Sequence, residues 1–587
     1  MGRARSSNRT SIVQTPPALP DTKGPLSSSR LDFDSVRDAH IYLLIILVAC
    51  VVYAKSIAYQ YTYFDDVPLV VLNQSVLNNL SNIPRLFSTD VFISFNNPEL
   101  FYRPLLDLLI MLELQISKNS PAIFHITNIL MHIGSSLLLF VVFKRLKLPR
   151  MLAAAAALIF CVHPLNTSAV VWIPGSNDLL LTLLILASFS LFLQALDTNR
   201  LWFWALHLFL FFLALLTKES AIVFPLLCAV YALWVRRDPL TLRTKVLVAA
   251  GYLISIAVWY VLRSSVPHPS GFRPTFTAMA SGWIENSPGF ILYVGKILLP
   301  LNLSVMPNLR DQSLVLGIIS LALFVVAFVV HPPSSLRKFS WGIGWFIFFL
   351  APTFLSATIL HEHRTYSAFF GILFAAAQLP VIQSIDFSKS SRVLGLVALL
   401  AFYGVVAMMH SEHFRNRTTY AMDAFLKDPG VGASHAALAD LFLSEGDDKQ
   451  AEQVLTAAIA QDSSMRFVHR LLGDLYANRH EFGRATRQYE ASIRIDKYEL
   501  YSYIGYGKVC IGEGQPDKAL ELWKQTVVVS PNFLIGYQYL ASFYTFVRND
   551  PDSAMFYVRK VQQRGGTVVQ PLLDAIEENA KLKRQKK

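Results

Sequence analysis

The sequence predicts an all-α protein in two parts, a bundle of membrane-spanning helices followed by a soluble helical solenoid. Three observations lead to this prediction. Hydrophobic residues make up 53% of the chain, charged residues only 16%, and the mean hydropathy is +0.41, which is a membrane composition. Long apolar stretches recur as far as residue 410. Beyond it the hydropathy drops and a repeat of 34 residues begins, a period typical of paired helices that stack into an array.

Five segments follow from these changes in composition. The predicted order is a disordered cytoplasmic tail at 1–38, a membrane domain at 39–410, a linker at 411–431, helical repeats at 432–566 and a basic tail at 567–587. The first segment is rich in Ser, Pro and Arg and poor in apolar residues. The first apolar stretch lacks a small-residue cleavage site, so we expect an anchor and not a removed signal peptide.

The membrane domain is predicted to cross the bilayer about eleven times, as a polytopic bundle. Basic loops at 143–150, 235–245 and 331–340 are assigned to the cytoplasm, which places the N-terminus inside and the repeats outside. Two apolar stretches, 102–116 and 290–303, contain charges and would break the alternation, so we expect them to lie at the outer interface. The predicted spans are 41–58, 122–142, 151–171, 179–196, 201–217, 220–235, 246–263, 313–331, 340–359, 366–383 and 392–410.

Two adjacent carboxylates, Asp65 and Asp66, follow the first predicted span. Adjacent carboxylates repel each other, so they favour a cation, a hydrogen-bond donor or a proton to be abstracted. The alternative is a solvated turn before Pro68. The predicted topology favours a functional role, because the other polar clusters of the membrane domain fall on the same, outer side.

A second cluster, Lys218-Glu219, lies in a very short connection between two long apolar stretches. Charges at membrane level are costly and usually face a cavity or each other. The pair therefore either satisfies itself or forms a cavity wall with a cation for a phosphate group. The net charge of +12 is attributed to the basic cytoplasmic loops, so it does not indicate a nucleic-acid partner.

A third cluster is His361-Glu362-His363-Arg364. It resembles a metal-ligand set, but no further carboxylate pattern completes a site. A phosphate or carboxylate clamp by Arg364 is the alternative that we favour, because a guanidinium binds two oxygens at once. Earlier in the chain, His125, Asn128 and His132 share one helical face. Such histidines are usually satisfied core residues, and His125, nearest the outer end, is the better candidate.

The repeats are defined by small residues 34 positions apart. Ala439, Gly473 and Gly507 occupy one such position, and a second small position follows in each repeat. A fourth, weaker copy contains one inserted residue. This is the tetratricopeptide pattern, and such arrays form concave surfaces that bind peptides or extended segments. The alternative is a structural cap or a dimer contact. The second small positions are Ala451, Ala485, Ala519 and, in the fourth copy, Ala554.

Together these motifs resemble a known family. An aromatic-Asp-Asp motif in the first outer loop is similar to that of the GT-C class of polyprenyl-phosphate-sugar-dependent glycosyltransferases. The ordered series and the repeats look like the transmembrane-and-tetratricopeptide O-mannosyltransferases, over about residues 41–560. Four repeats are fewer than in the animal members, which favours a bacterial relative in the inner membrane over the endoplasmic reticulum. The series is Tyr102-Arg103-Pro104-Leu105, the helix of His125 and His132, His163-Pro164, Thr217-Lys218-Glu219 and Arg364-x-Tyr366.

The resemblance implies an inverting transfer of a sugar, most simply mannose, from a polyprenyl or dolichyl phosphate to a hydroxyl, with a protein Ser or Thr as the favoured acceptor. It implies one of the two aspartates as the general base. We favour Asp65, with Asp66 as its orienting partner or as a ligand of a divalent metal, and the opposite order is the alternative. A lipid-linked donor requires no separate cofactor, which agrees with the missing nucleotide-binding motifs. The cations expected at the donor phosphate are Lys218, Arg364 and Arg103; further candidates are Glu219, His163, His125, Glu362 and His361.

Two other functions are open at this stage. One is a GT-C transferase that acts on a lipid or a polysaccharide, which would share the membrane motifs. The other is a non-catalytic membrane scaffold or a transporter that docks partners through the repeats. A transporter would be expected to place ionisable groups near the middle of the membrane. Here they concentrate at one face.

Overall fold

The chain is described by a computed structural model, and the described residues are 1–2, 37–62, 65–92, 101–117, 120–237, 240–266, 276–355 and 359–585. Within these ranges the secondary structure is helical and no strand occurs, so the all-α prediction is confirmed. The helices before the repeats are α1 (Asp38–Tyr53), α2 (Gln74–Leu77), α3 (Ile83–Leu86), α4 (Pro104–Ser117), α5 (Ala122–Arg145), α6 (Arg150–Val162), α7 (Thr167–Val171), α8 (Ser176–Thr198), α9 (Leu201–Thr217), α10 (Phe224–Val230), α11 (Leu242–Ser264), α12 (Phe276–Asn286), α13 (Gly289–Leu298), α14 (Val315–Val330), α15 (Leu336–Leu350), α16 (Tyr366–Ala376), α17 (Pro380–Gln383) and α18 (Ser390–Ser411).

The helices of this bundle make it an integral membrane protein. In the described ranges, six helices are long and apolar enough to cross a bilayer, or seven if the bent pair α6 and α7 is one span. The predicted number of about eleven also counts four stretches at which the structure has the shorter helices α9, α14, α15 and α16. These have fewer than the roughly 20 residues that a span perpendicular to the bilayer needs, so the count of about eleven stays a prediction.

The predicted span 151–171 is bent. α6 ends where Pro164 cannot continue the hydrogen-bonding ladder, and α7 resumes at an angle of 49°. His163 caps the single 3-10 turn between them through Nδ1, which accepts from the backbone N–H of Leu165 at 3.2 Å. The bend places the polar stretch that follows α7 against the start of α8 and inside the bundle.

Small residues let the helices of the bundle approach closely. α15 and α16 cross at Gly342 and Gly371, where a Cβ on Gly371 would meet the carbonyl oxygen of Gly342 at 2.4 Å. α13 and α14 meet in the same way at Gly295 and Gly317. Such close contacts at small residues are usual in membranes, where lipid supplies no hydrophobic driving force between helices. Apolar side chains from α1, α5, α6, α8, α9, α15 and α16 fill the core between these contacts.

One end of the bundle is basic, and the other, which we call the site end, carries Asp65, Lys218 and Arg364. At the basic end Asp38 pairs with Lys144 and with Arg150. These pairs fix the start of α1 to the loop between α5 and α6. The positive loops and the candidate site are thus separated by the length of the bundle.

Paired helices stack into a solenoid after α18 and confirm the predicted repeats. The first helices begin at 432, 466, 500 and 534, and each start is 34 residues after the one before it. The second helices begin at 448, 482, 516 and 551, so the fourth repeat contains the expected extra residue. The helices are α19 (Arg417–Lys427), then the pairs α20 (Gly432–Glu445) and α21 (Asp448–Gln461), α22 (Arg466–Asn478) and α23 (Phe482–Ile495), α24 (Leu500–Gly512) and α25 (Pro516–Val529), α26 (Leu534–Phe546) and α27 (Pro551–Gln563), and finally α28 (Gln570–Gln585).

The small residues of the repeat pattern make room for an aromatic ring. A Cβ on Gly473 would lie 2.8 Å from the ring of Tyr489, and one on Gly507 would lie 2.3 Å from the indole nitrogen of Trp523. The first helix of a repeat can therefore pack closely on the second only where its side chain is small. This contact explains why small residues recur every 34 positions in the sequence.

The segments predicted to be a linker and a basic tail contain helices. The stretch 411–431 contains α19, whose Ala421 packs with Leu438 of the first repeat. The stretch 567–587 contains α28, in which Leu572 and Ile576 cover the apolar face of α27. In both, widely spaced apolar residues within polar sequence give one face that a neighbouring repeat buries.

Candidate active site

The site end of the bundle is built around Asp66, which is completely buried. Its Oδ2 accepts from the backbone N–H of Thr62 at 2.5 Å and from the Thr62 hydroxyl at 2.6 Å. Trp172 in turn donates its indole N–H to the same hydroxyl at 3.0 Å. Burial raises the pKa of Asp66 to about 7, against these hydrogen bonds. This arrangement commits one oxygen of Asp66 to holding the loop in place.

Asp65 is half-buried and lies among cations. Burial raises the pKa of Asp65 to about 6, against the positive charges of Arg103 and Arg364. Neither arginine forms an ion pair with this carboxylate within the described ranges. Asp65 therefore has free oxygens and a pKa close to neutral, which suits a group that accepts a proton in a reaction. The aromatic residues of the aromatic-Asp-Asp motif, Tyr63 and Phe64, lie outside the described residues.

Lys218 pairs with a carboxylate that is distant in sequence. Its Nζ donates to Oδ1 and Oδ2 of Asp178 at 2.7 and 2.8 Å. Burial lowers the pKa of Lys218, the Asp178 carboxylate opposes this, and the nearby charges of Arg103 and Arg364 reinforce it. Three cations thus come close to one another, as expected for a site that receives an anion.

Glu219 points the other way and pairs with Arg103 at 3.2 Å. The self-satisfied Lys218-Glu219 pair considered from sequence is therefore not what the structure contains. The guanidinium of Arg103 also lies 4.7 Å from the centre of the Phe101 ring. These contacts fix Arg103 beside Asp65 and Lys218.

Two further carboxylates lie beside Arg103. Asp90 accepts from the backbone N–H groups of Phe92 and Phe101 at 2.8 and 2.7 Å, and burial raises its pKa to about 7. Asp107 on α4 is completely buried, and burial, with Asp90 adding to it, raises its pKa well above the usual value. Both groups are thus harder to ionise than ordinary carboxylates, which weakens their opposition to the cationic character of the site.

The turn His361–Arg364 lies on the indole of Trp172. The rings of His361 and His363 are each 5.3 Å from the Trp172 ring and 5.0 Å from each other. Burial lowers the pKa of His361 to about 3 and that of His363 well below its usual value, and the Arg364 charge adds to both shifts. Both imidazoles are therefore neutral near pH 7.

Arg364 is half-buried, and none of the ion pairs among the described residues involves it. Its charge nevertheless acts on Asp65, Lys218 and His361. Within those ranges it is therefore a cation near the base candidate with no carboxylate bound to it. A guanidinium in this state can bind two oxygens of an anionic ligand.

Glu362 lies in the same turn but its side chain is directed away from the site. Its Oε1 accepts from Nζ of Lys296 at 2.7 Å and its Oε2 is 3.1 Å from Nε2 of His410. Burial alone would raise the pKa of Glu362, but Lys296 and His410 lower it to about 2. The interactions of Glu362 anchor the turn to α13 and α18.

Two histidine candidates are also separate from the cations. Nε2 of His163 is hydrogen-bonded to the carbonyl of Ile297 at 2.9 Å, in addition to its capping contact. His125 is buried with its ring edge towards Tyr59 at 6.2 Å. His132 is a satisfied core histidine, with Nδ1 2.7 Å from the Tyr366 hydroxyl. In the described residues these side chains pack between helices, and a role of His163 or His125 in the site stays a prediction.

The sequence reasoning assigned no individual role to Asp178 or His363. Asp178 is buried at the first turn of α8, and its Oδ2 is 3.8 Å from Nε2 of His363. Nδ1 of His363 is buried and has no hydrogen-bond partner among the residues that the structure describes. The signal for Asp178 was an acidic residue at the start of a long apolar helix, where a buried carboxylate needs a cation. No group of three or more His, Cys, Asp or Glu side chains in the described part of the chain is arranged to hold a metal ion.

Known proteins match the part of the chain that contributes much of this site. The sequence model of the family described as dolichyl-phosphate-mannose-protein mannosyltransferase matches residues 98–261, a range that includes Arg103, Asp178 and Lys218. The chain resembles the protein O-mannosyltransferases. Human protein O-mannosyl-transferase TMTC1 is 32% identical over 200 residues, which are 32% of this chain and 23% of the relative. Human TMTC4 is 33% identical over 199 residues, 30% of this chain and 27% of the relative.

The resemblance to O-mannosyltransferases is thus confirmed over about a third of the chain, and its wider extent over residues 41–560 stays a prediction. The matched stretch covers about a quarter of the length of these O-mannosyltransferases. Solved structures similar to the chain include the crystal structure of MamA, with a TM-score of 0.22 at 21% identity over 24% of this chain and 84% of that chain. At that score the likeness adds nothing to the description of the fold.

Proposed function

We propose that the protein is a membrane glycosyltransferase that moves mannose from a polyprenyl or dolichyl phosphate to a hydroxyl, with Ser or Thr of a polypeptide as acceptor. One observation carries the proposal. Asp65, with free oxygens and a raised pKa, lies in a site that also contains Arg103, Lys218 and Arg364. A base beside a cluster of cations is what attack by a hydroxyl on a sugar phosphate requires.

The proposed reaction uses each of these groups. The acceptor oxygen forms a bond to the anomeric carbon as its proton passes to Asp65, and the bond from that carbon to the phosphate oxygen breaks. The electrons of the broken bond remain on the leaving phosphate. Arg364 and Lys218 stabilise this growing negative charge, because preorganised cations act most strongly where charge develops. Attack opposite the leaving group inverts the anomeric carbon.

Asp66 and Asp178 are positioning residues in this reaction. Asp66 holds Thr62, and through it the indole of Trp172, so that the loop of Asp65 is fixed to the turn that bears Arg364. Asp178 holds the ammonium of Lys218 with both oxygens. Because one oxygen of Asp66 is already committed, Asp65 is the better base.

The orientation in the membrane is part of the proposal. Lys144 and Arg150 lie at the end of the bundle opposite the site, and excess positive charge marks the cytoplasmic side of membrane proteins. We therefore place the site and the repeats on the non-cytoplasmic face. A labelled cysteine beside the repeats, accessible only from that side of sealed vesicles, would test this placement.

The transfer itself is tested with the full chain in proteoliposomes, supplied with mannosyl phosphoryl polyprenol and a peptide rich in Ser and Thr. We expect mannose on the peptide, and losses of roughly 10²-fold in Arg364→Gln and Lys218→Met, the scale for removing one charge-stabilising group. Lys389→Gln is the matched control, because Lys389 is an exposed cation directly before α18, at the end of that helix away from the site. Transfer only to a lipid or a polysaccharide would replace the proposed acceptor. No transfer by the wild-type protein from any polyprenyl-phosphate sugar would refute the proposal.

A further inference from the structure

The last repeat of the solenoid packs against the segment that follows the two aspartates. Leu69 and Val70, in the single π-helical turn Val67–Val71, are buried in one apolar cluster with Leu534, Tyr537 and Val561 of α26 and α27. Leu69 and Val70 follow Asp65 and Asp66 by three to five positions in sequence. The repeat and the segment that follows the candidate base thus share one apolar cluster.

A polar contact closes the same junction. The side-chain N–H₂ of Asn82 donates to the carbonyl of Val76 at 2.8 Å and reaches the carbonyl of Gly565 at 3.5 Å. Gly565 has a φ of +70°, and a Cβ there would lie 2.7 Å from Oδ1 of Asn82 and 2.2 Å from Nη1 of Arg85. A glycine in this conformation is what lets the turn after α27 approach so closely.

Hydrogen bonds connect this junction to Asp65. The backbone N–H of Leu69 donates to the carbonyl of Asp65 at 3.0 Å. Asn73 donates its side-chain N–H₂ to the carbonyls of Leu69 and Val91 at 3.2 and 3.1 Å. Asp65 therefore begins a helical turn whose buried residues belong to the same apolar cluster as the fourth repeat, so we expect a shift of the repeat to be transmitted to this turn.

The beginning of the solenoid is attached to the same end of the bundle. Tyr420 of α19 stacks on Trp172 at 6.3 Å. Asp423 accepts from the backbone N–H of Val305 at 3.0 Å, and Asp428 accepts from the side chain of Asn308 at 3.1 Å. The array is thus held at both ends and cannot swing about its linker without breaking one set of contacts.

We propose that the fourth repeat is a positioning element for the loop of Asp65 and stays docked during turnover. Its dock consists of Tyr537 and Gly565 on the repeat and Asn82 on the loop. Acceptor contacts then belong to other surfaces of the array. The effect on rate rests on the proposed function, whereas the effect on the order of the loop does not.

A cross-link across the dock tests whether it must open. A Cβ on Gly565 would lie 3.1 Å from Cγ of Asn82, so Asn82→Cys with Gly565→Cys places two thiols within disulfide reach. The side chain at residue 565 strains the turn equally in both redox forms, so the reduced double variant and not the wild type is the reference. We expect the oxidised protein to keep a kcat within about twofold of its reduced form, because a positioning contact is not a gating one. Loss of transfer on oxidation, with recovery on reduction, would overturn the proposal, since the repeat would then have to undock.

Loosening the dock tests its positioning role. Tyr537→Ala removes a ring from the cluster, and we expect kcat to fall roughly 10-fold to 100-fold with an unchanged KM for a short peptide, because small misplacements of a reacting group are costly. Tyr537→Phe keeps the ring and is expected to restore kcat. Tyr506→Ala, in the third repeat and outside this cluster, controls for damage to the array. A higher KM at unchanged kcat in Tyr537→Ala would instead make the repeat an acceptor surface and overturn the proposal.

Hydrogen exchange supplies a readout that does not depend on catalysis. We expect faster exchange over residues 65–77 in Tyr537→Ala than in the wild type, and no such change in Tyr506→Ala. Equal exchange in all three proteins would show that the loop does not depend on the repeat. If the wild-type protein transfers no mannose, the proposed function fails while this measurement still decides whether the fourth repeat orders the loop.

Discussion

The ion pair between Lys218 and Asp178 gives the sharpest prediction about the site, because Asp178 is buried and Lys218 largely so. The two residues lie 40 positions apart in sequence. Side-chain exposure is 16% for Lys218 and 3% for Asp178, and the two N–O distances are 2.7 and 2.8 Å. At these distances the attraction is about 6 kcal/mol with an effective dielectric constant of 20. Much of it is offset by the cost of removing both charges from water.

Removing one partner leaves the other charge buried and unpaired, which costs about 3–5 kcal/mol in folding free energy. Since Lys218 keeps some access to water, we expect about 3 kcal/mol for Asp178→Asn and for Lys218→Met. For a membrane domain of the predicted size, residues 39–410, that corresponds to a decrease of roughly 4 °C in the apparent melting temperature. The double variant leaves no unpaired charge, so its melting temperature should fall by much less than the sum of the two single decreases.

The assay is thermal unfolding of the detergent-solubilised protein for the wild type, both single variants and the double variant. Lys389→Gln serves again as the control, because its ammonium is exposed and only loosely paired, at 3.9 Å from Asp386. It should leave the melting temperature unchanged. Additive decreases in the double variant would refute the reasoning, since two independent side chains and not an ion pair would then account for the losses.

Two further predictions concern proton transfer and helix packing. Because the pKa of Asp65 is raised to about 6, kcat/KM should fall tenfold per pH unit below about pH 6 as the base becomes protonated. Arg364→Gln removes a charge that lowers this pKa, so the acid limb should move up by roughly one unit; an unmoved limb in a pH–rate profile would contradict the assignment. Gly371→Ala places a methyl group 2.4 Å from the carbonyl of Gly342 and should lower the apparent melting temperature. The free surroundings of Gly344 make Gly344→Ala the harmless control, and equal melting temperatures would contradict the close packing.

The repeats and the order of the apolar helices could be predicted because their signals are local. Each repeat places a small residue where an aromatic ring must fit, as at Gly473 beside Tyr489, and this repeats at a fixed spacing. The pairing of Lys218 could not be predicted in this way. Its backbone is extended, with φ −158° and ψ 138°, so consecutive side chains point to opposite sides. Glu219 therefore meets Arg103, and Lys218 meets a carboxylate 40 residues earlier.

The roles of the side chains in the turn His361–Arg364 could not be predicted from the sequence for a related reason. All four side chains are polar, and only tertiary contacts separate them. Glu362 is bound by Lys296 from a helix that was predicted to lie at the interface, whereas Arg364 shares its surroundings with Asp65. The sequence identified Lys218 through its cost at membrane level, but not the buried carboxylate of Asp178 that holds it in place.

The most direct test of the account compares Asp65→Asn with Asp66→Asn in proteoliposomes that contain mannosyl phosphoryl polyprenol and a Ser/Thr peptide. The measurement is the initial rate of mannose transfer at saturating donor. We predict a loss of roughly 10²-fold to 10⁴-fold in Asp65→Asn, the range for removing a general base, and a smaller loss in Asp66→Asn, whose retained side chain can still hydrogen-bond Thr62. A wild-type rate in Asp65→Asn, with folding intact, would contradict the claim that this carboxylate accepts the proton.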